Sequence, residues 1–232
     1  GNAEHLFFSH KKLMSIHAIV LSTPHRFGRA KDQALLAGFK TVQLVRSHFP
    51  NVSGNTGVTP GEYGLVQSMR EALAEVVSFG RPVVVFEDDI VLSADSATVQ
   101  AYAAACSRTH DMCQLGACGR FACTHASVWS PAGASAMLKS SVCDRPWDKL
   151  VRRMCIRRQL KCKDDRPLRK VHPSLLKGGY TAEELFTASR TKNASVLPRF
   201  RYFGYGYFVQ DRRGVKPYLH VGSNMGKSSG LR

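Results

Sequence analysis

The sequence predicts an α/β protein, a mixed and mostly parallel sheet flanked by helices. Two observations carry that expectation. Val83-Val84-Val85-Phe86 is an unbroken apolar run dominated by β-branched residues, the pattern of a strand buried on both faces. Upstream, an apolar segment from Ser15 to Leu21, a polar loop, an Ala/Leu-rich helical pattern from Arg29 to Phe39 and a second apolar segment from Lys40 to Val45 spell a βαβ unit. The chain of 232 residues is long enough for a substantial core, and one domain over 15–232 after a loose basic leader over 1–14 accounts for it.

The first strand ends in Ser22-Thr23-Pro24-His25-Arg26, read as a loop. Arg26 and Arg29 there are candidate phosphate contacts, since guanidinium groups grip phosphate oxygens in a fixed fork, or simply solvent-exposed arginines. Residues 47–57 are rich in turn formers and predict a mobile loop. Thr59, Pro60 and Glu62 then form a helix start with an N-cap, a proline at the first helical position and a capping box. Leu65, Val66, Met69, Ala72, Leu73, Val76 and Val77 keep one apolar helical face, which Gly80 and Pro82 end.

The acidic strand follows directly. Glu87, Asp88 and Asp89 sit at its carboxyl end, and charges there must reach water, bases or a cation. In open α/β sheets, ligands bind just outside the carboxyl ends of strands. A hard divalent ion held by one or two carboxylates and completed by diphosphate oxygens suits that place; a solvated acidic turn is the plainer alternative.

Further on, the pattern predicts a helix over Ser96 to Cys106, a weak strand over Cys113 to Gly116 and a firmer one over His125 to Trp129. A helix runs from Ser130-Pro131 to about Leu138, and another opens at Pro146 with Trp147, Leu150, Val151 and Met154 on its apolar side. Asp148 falls in the first turn of that helix. A dense basic insert near 152–170 is either a solvated helix face or a surface for an anionic partner. Phe200 to Phe208 interleaves aromatics with Gly and Arg, which suits core packing or stacking on sugars and bases.

A net charge of +16 favours anionic partners without choosing among nucleotide-sugar phosphates, nucleic acid and anionic membranes. No apolar run reaches the roughly 18 residues a transmembrane helix needs, and no secretory signal is visible. That favours the cytoplasm, or the Golgi/ER lumen if the chain is a piece of a longer protein. The 7 cysteines cannot all pair within one chain, and the spacing of Cys113, Cys118 and Cys123 beside His110 and His125 is looser than zinc ligands usually show. Buried thiols or a disulfide or two are expected instead.

The order of these features resembles glycosyltransferase family 25, the lipopolysaccharide and procollagen galactosyltransferase group. The matching segments are I-H-A-I-V-L-S-T-P-H-R, G-E-Y-G-L-V-Q-S, V-V-V-F-E-D-D-I-V-L, T-H-A-S-V-W-S-P-A-G-A-S-A-M-L and R-P-W-D. The family usually has Ser-His where this chain has Ser68-Met69. The ending H-V-G-S-N-M-G-K-S-S is similar to other enzymes of the same fold, in which a histidine helps hold the metal.

The resemblance implies a GT-A fold and a metal-dependent transfer of a hexose from a nucleotide sugar, with Mn2+ or Mg2+ and a UDP-sugar as donor, and with inversion. It places the metal on Asp89 with Asp88, Glu87 and His220, and the nucleotide on Ser22, Thr23, Arg26, Arg29, Glu87 and Asp88. Asp148 becomes the base for the acceptor hydroxyl, the acceptor being a glycan, a protein or another anionic molecule. Two rivals are a metal-dependent nuclease or phosphotransferase, which would draw carboxylates from several segments, and a nucleic-acid-binding module, which would leave the acidic run unexplained.

Overall fold

The computed structural model describes residues 16–48, 58–117, 121, 123–140, 144–163, 202–203 and 205–211. In chain order the elements are β1 (His17–Ser22), α1 (Pro24–Leu36), β2 (Val42–Arg46), α2 (Pro60–Phe79), β3 (Val83–Glu87), β4 (Ile90–Leu92) and α3 (Ser96–Thr109). Then come β5 (Met112–Ala117), β6 (Ala126–Trp129), α4 (Pro131–Ser140), α5 (Trp147–Ile156), β7 (Cys162–Lys163), β8 (Tyr202–Phe203), β9 (Tyr205–Gly206) and β10 (Phe208–Asp211).

The main sheet is mixed, in the order β2-β1-β3-β6-β5-β7, with β9 paired to β5. Pairs β1–β2, β1–β3 and β5–β7 are parallel; β3–β6, β5–β6 and β5–β9 are antiparallel. The expectation of a mostly parallel sheet therefore holds for strand direction, with β6 and β9 reversed, but not for pairing. A second, three-stranded sheet runs β4-β10-β8.

β3 lies between β1 and β6 and alternates its side chains between two cores. Val83 and Val85 face the core shared with α2, α4 and α5, while Val84 and Phe86 face that of α1 and α3. All four are fully buried. Each such side chain contributes about 1.5–3 kcal/mol on burial, which fixes the strand that carries the acidic turn more firmly than any local propensity.

Local chemistry sets the helix ends. Glu62 N–H donates to Thr59 Oγ1 at 3.2 Å and Thr59 N–H to Glu62 Oε2 at 2.8 Å, closing the capping box of α2. Gly80 ends that helix in the left-handed region at φ 59°. The expected loop over 22–26 is shorter, because Pro24 opens α1 as its first helical residue; Arg26 and Arg29 lie on a helix. The start of α3 is held by Asp95, whose carboxylate accepts the Thr98 amide at 2.8 Å.

Two disulfides each join the end of a helix to the strand that follows it, Cys106–Cys113 between α3 and β5 and Cys155–Cys162 between α5 and β7. Cys123 is disulfide-bonded as well. Closing loops this short contributes about 2–3 kcal/mol each in the chain-entropy account.

Candidate functional site

The parallel strands β1, β2, β3, β5 and β7 deliver their carboxyl ends to one edge of the main sheet, and α1 and α2 begin there. Helix N-termini carry partial positive charge, so this edge suits an anion. β3 arrives with Leu21 of β1 paired to Glu87, and the Glu87 amide donates to the His125 carbonyl at 2.9 Å. Asp88 and Asp89 then turn the chain out of the main sheet and into β4. The apolar run on both sides of the carboxylates is thus two strands in two sheets.

Asp88 is gripped at both oxygens. Ser22, wholly buried at the end of β1, has its hydroxyl 3.0 Å from Asp88 Oδ2 and 2.9 Å from the Thr23 carbonyl oxygen, two acceptors that share its one hydrogen. Arg26 NH2 pairs with Asp88 Oδ1 at 2.9 Å. The Arg26 side chain is 48% exposed and the Asp88 side chain 14%, so the pair contributes only about 0–1 kcal/mol to stability. Its consequence is positional: the carboxylate of Asp88 is aimed, and Arg26 is held where the turn opens.

The other expected residues lie as follows. Arg29 is exposed one turn further along α1, and Thr23 Oγ1 is 3.4 Å from His25 Nε2. Glu87 and Asp89 are half-buried on either side of Asp88. Asp148 sits in the first turn of α5, half-buried, its Oδ1 accepting the Lys149 amide at 2.9 Å. The strand and helix directions put the start of α5 on the same edge as the acidic turn. His220, the end of the basic insert from 164 to 170, and most of the loop over 47–57 lie outside the described residues.

Among the described residues no three His, Cys, Asp or Glu side chains converge as a metal cage. A Mg2+-type ion needs only one or two carboxylates when substrate phosphates supply further oxygens, so the hard oxygen donors of Glu87 and Asp89 fit such an ion.

Compared with known proteins, the chain matches no protein-family model and no curated protein sequence. No helix among the described residues is long and apolar enough to cross a membrane.

Several features resolve as structural. His125, fully buried, lies with Nε2 3.0 Å from the Phe208 carbonyl oxygen and braces β10. Phe208 packs on Phe86 at 4.8 Å and Tyr207 on Tyr102 at 4.8 Å, so these two members of the aromatic tail are core. Met69 is fully buried in the α2 core, a place that would desolvate the histidine usual in the resembled family.

Sequence reasoning missed His48, just beyond β2 on the same edge. Its amide donates to the buried Ser68 hydroxyl at 2.9 Å, and its ring pairs with Glu71 at 2.7 Å. The only signal was a Ser-His dipeptide at a strand end. The shifted titrations lie elsewhere: burial lowers His17 and His110, and hydrogen bonding from Arg145 lowers Asp144.

Proposed function

We propose that the chain is a metal-dependent glycosyltransferase of the GT-A type that moves a hexose from a UDP-sugar to an acceptor hydroxyl with inversion. The observation that carries this reading is the aimed carboxylate of Asp88 between Ser22 and Arg26, at the carboxyl end of a central, doubly buried strand. Carboxylates, arginines and helix N-termini meeting on one sheet edge support a diphosphate ligand better than they support a nucleic-acid surface.

In this reading Asp89 and Glu87 hold the cation, Asp88 positions the turn, and Ser22, Thr23, Arg26 and Arg29 surround the nucleotide. A Mn2+ or Mg2+ ion bound there supplies neutralisation of the departing diphosphate. The acceptor oxygen attacks the anomeric carbon as the bond to the diphosphate oxygen breaks. The hydroxyl proton passes to a carboxylate, for which Asp148 is the candidate on the same edge. Arg26 and Arg29 act where negative charge grows, at the leaving oxygens. The disulfides favour an oxidising compartment such as the Golgi/ER lumen over the cytoplasm expected from sequence.

The test is Mn2+-dependent UDP binding and donor hydrolysis across a nucleotide-sugar panel, in the parent and in Asp89→Asn. Asp89→Asn keeps the shape and one oxygen but removes the charge a hard cation prefers, so UDP affinity should fall at least tenfold with the melting temperature nearly unchanged. Unchanged affinity in the variant, or no metal-dependent binding of any nucleotide in the parent, would remove the reading.

A further inference from the structure

At the end of α5 the chain turns through residues 157–161 before entering β7, and the Cys155–Cys162 disulfide closes that loop. Leu160, 1% exposed, anchors it to the core, and the Arg158 and Gln159 amides donate to the Cys155 and Met154 carbonyls at 3.2 and 2.9 Å. Lys161 is clamped by its backbone: its amide donates to Asp111 Oδ2 at 2.8 Å, and its carbonyl accepts the Asp111 amide at 2.8 Å. This frame leaves the side chains of Arg157, Arg158 and Lys161 exposed, continuous with Arg152 and Arg153 on α5.

A basic helix end has an ordinary explanation, since cations there offset the partial negative charge of the terminal carbonyls. That explains Arg153 and Arg157, not the whole set. Lys149, Arg153 and Arg157 recur at four-residue spacing, which stacks like charges on one face and is unfavourable by itself. Asp144 is paired with Arg145 at 2.7 Å, its pKa only weakly lowered by Arg153, and among the described residues none of Lys149, Arg152, Arg153, Arg157, Arg158 and Lys161 is in an ion pair.

Arg158 adds a second observation. Its φ of 57° lies in the left-handed region, at a helix end where glycine is usual. An arginine held there accepts a backbone penalty that glycine would avoid, while projecting its charge from a rigid turn. The field extends sideways: after burial, Lys161 and Lys163 are the largest influences lowering His110.

The position separates this surface from the acidic turn. β7 runs parallel to β5, so the loop before it lies at the amino-end edge of the sheet, opposite the carboxyl ends. It is not part of the edge that carries Asp88.

We propose that this disulfide-closed loop and the adjoining face of α5 form a docking surface for a sulfated, carboxylated polysaccharide chain. Charge complementarity requires a polyanion, and the disulfides choose its class. Disulfides form and persist in oxidising compartments, where the abundant polyanions are acidic glycans rather than nucleic acids. Flexible glycan sulfates also suit guanidinium groups fanned around a turn, and among Arg152, Arg153, Arg157, Arg158 and Lys161 there is no ring for base stacking.

The experiment measures binding of the full chain to a heparin oligosaccharide and to a DNA duplex of matched charge over a salt series, without nucleotide or metal. It is therefore independent of the glycosyltransferase reading. The heparin fragment should bind more tightly than the duplex. The triple variant Arg157→Gln, Arg158→Gly, Lys161→Gln should weaken it at least tenfold and lower the slope of log K against log salt by about 2–3, because each contact contributes just under one. A control that removes three exposed lysines elsewhere, Lys31→Gln, Lys40→Gln, Lys139→Gln, should change affinity far less. Should the triple variant not fold, Arg152→Gln with Arg153→Gln tests the helix face alone, with a fall of several-fold expected. Equal losses in variant and control, no loss in either basic-face variant, or a duplex bound as tightly as heparin would overturn the proposal.

Discussion

The carboxylate of Asp148 accepts the Lys149 amide, and that contact alone would explain an acid in the first turn of α5. Asp148→Asn separates the two roles. As a base, the residue should lose about 10²–10⁴-fold in transfer rate while UDP affinity is kept. As a helix-terminal charge only, it should lose about 0.3–1 kcal/mol of stability and transfer near-normally. Transfer rate, UDP titration and melting temperature measured on one preparation decide between them.

His17 offers a different test at the same scale. Its ring is buried, packed on Phe79 at 4.7 Å, with Nε2 3.3 Å from Gln43 Oε1. Burial lowers its pKa, the Gln43 hydrogen bond opposes, and Arg81 lowers it further against Glu75. With the folded value below the unfolded one, the unfolded chain binds the proton more readily. Stability is then full above the unfolded value near 6.5 and falls as pH drops through it toward the folded value. Melting temperature should fall between about pH 7.5 and 5.5, and His17→Phe should flatten part of that slope. An unaltered slope in His17→Phe would assign the pH dependence to other groups, of which His110 has the same sign.

At the scale of elements, β5 shows how closely the site's surroundings are packed. Its register with β6 shifts between Gln114 and Gly116, and a Cβ at Gly116 would collide with His125 Nε2 and the Phe208 carbonyl oxygen. Gly116→Ala should cost about 1–3 kcal/mol through overpacking, read as a lower denaturant midpoint. UDP affinity should fall with it, because β10 pairs with β4 just beyond the acidic turn. What sequence makes legible at this scale is what local chemistry fixes. Thr59, Glu62 and Gly80 mark α2 to the residue because caps are local. That Ile90–Leu92 begins a strand of a second sheet escaped, because the partner that draws β4 away lies at 208–210, far along the chain. The basic insert was read as one stretch near 152–170, yet its described part, 152–163, divides into helix, turn and strand, and the Cys155–Cys162 pairing that closes the turn cannot be deduced from 7 cysteines.

For the whole molecule, two cores of similar make-up lie on the two faces of one sheet, and the unbroken apolar run Val83 to Phe86 predicted a strand buried on both of them. The candidate site was legible as a strand end carrying three acids. The grip of Ser22 and Arg26 on Asp88 was not, because nothing in sequence says which of three adjacent carboxylates turns toward the first strand. The second sheet was illegible for a broader reason. Its strands are short, and what holds them is non-local: Ser93 Oγ donates to the Gly206 carbonyl across 113 positions, and the Tyr207 amide donates to the Leu115 carbonyl. Patterns of adjacent residues do not contain such pairings.

That last linkage has a consequence in time. A ribosome adds about 5–20 residues per second, so the 113 positions between Ser93 and Gly206 take on the order of ten seconds to synthesise. During that interval β1, β2 and β3 can pair with one another and β6 joins β3 once residues 126–129 are made, while β4 waits beside the acidic turn with an unpaired edge and the Phe86 ring uncovered on the side that Phe208 later fills. The growing chain therefore carries its acidic turn and an open strand edge side by side. Ser22 and Arg26 are already present to hold Asp88, whereas the open face of Phe86 stays uncovered until Phe208 arrives.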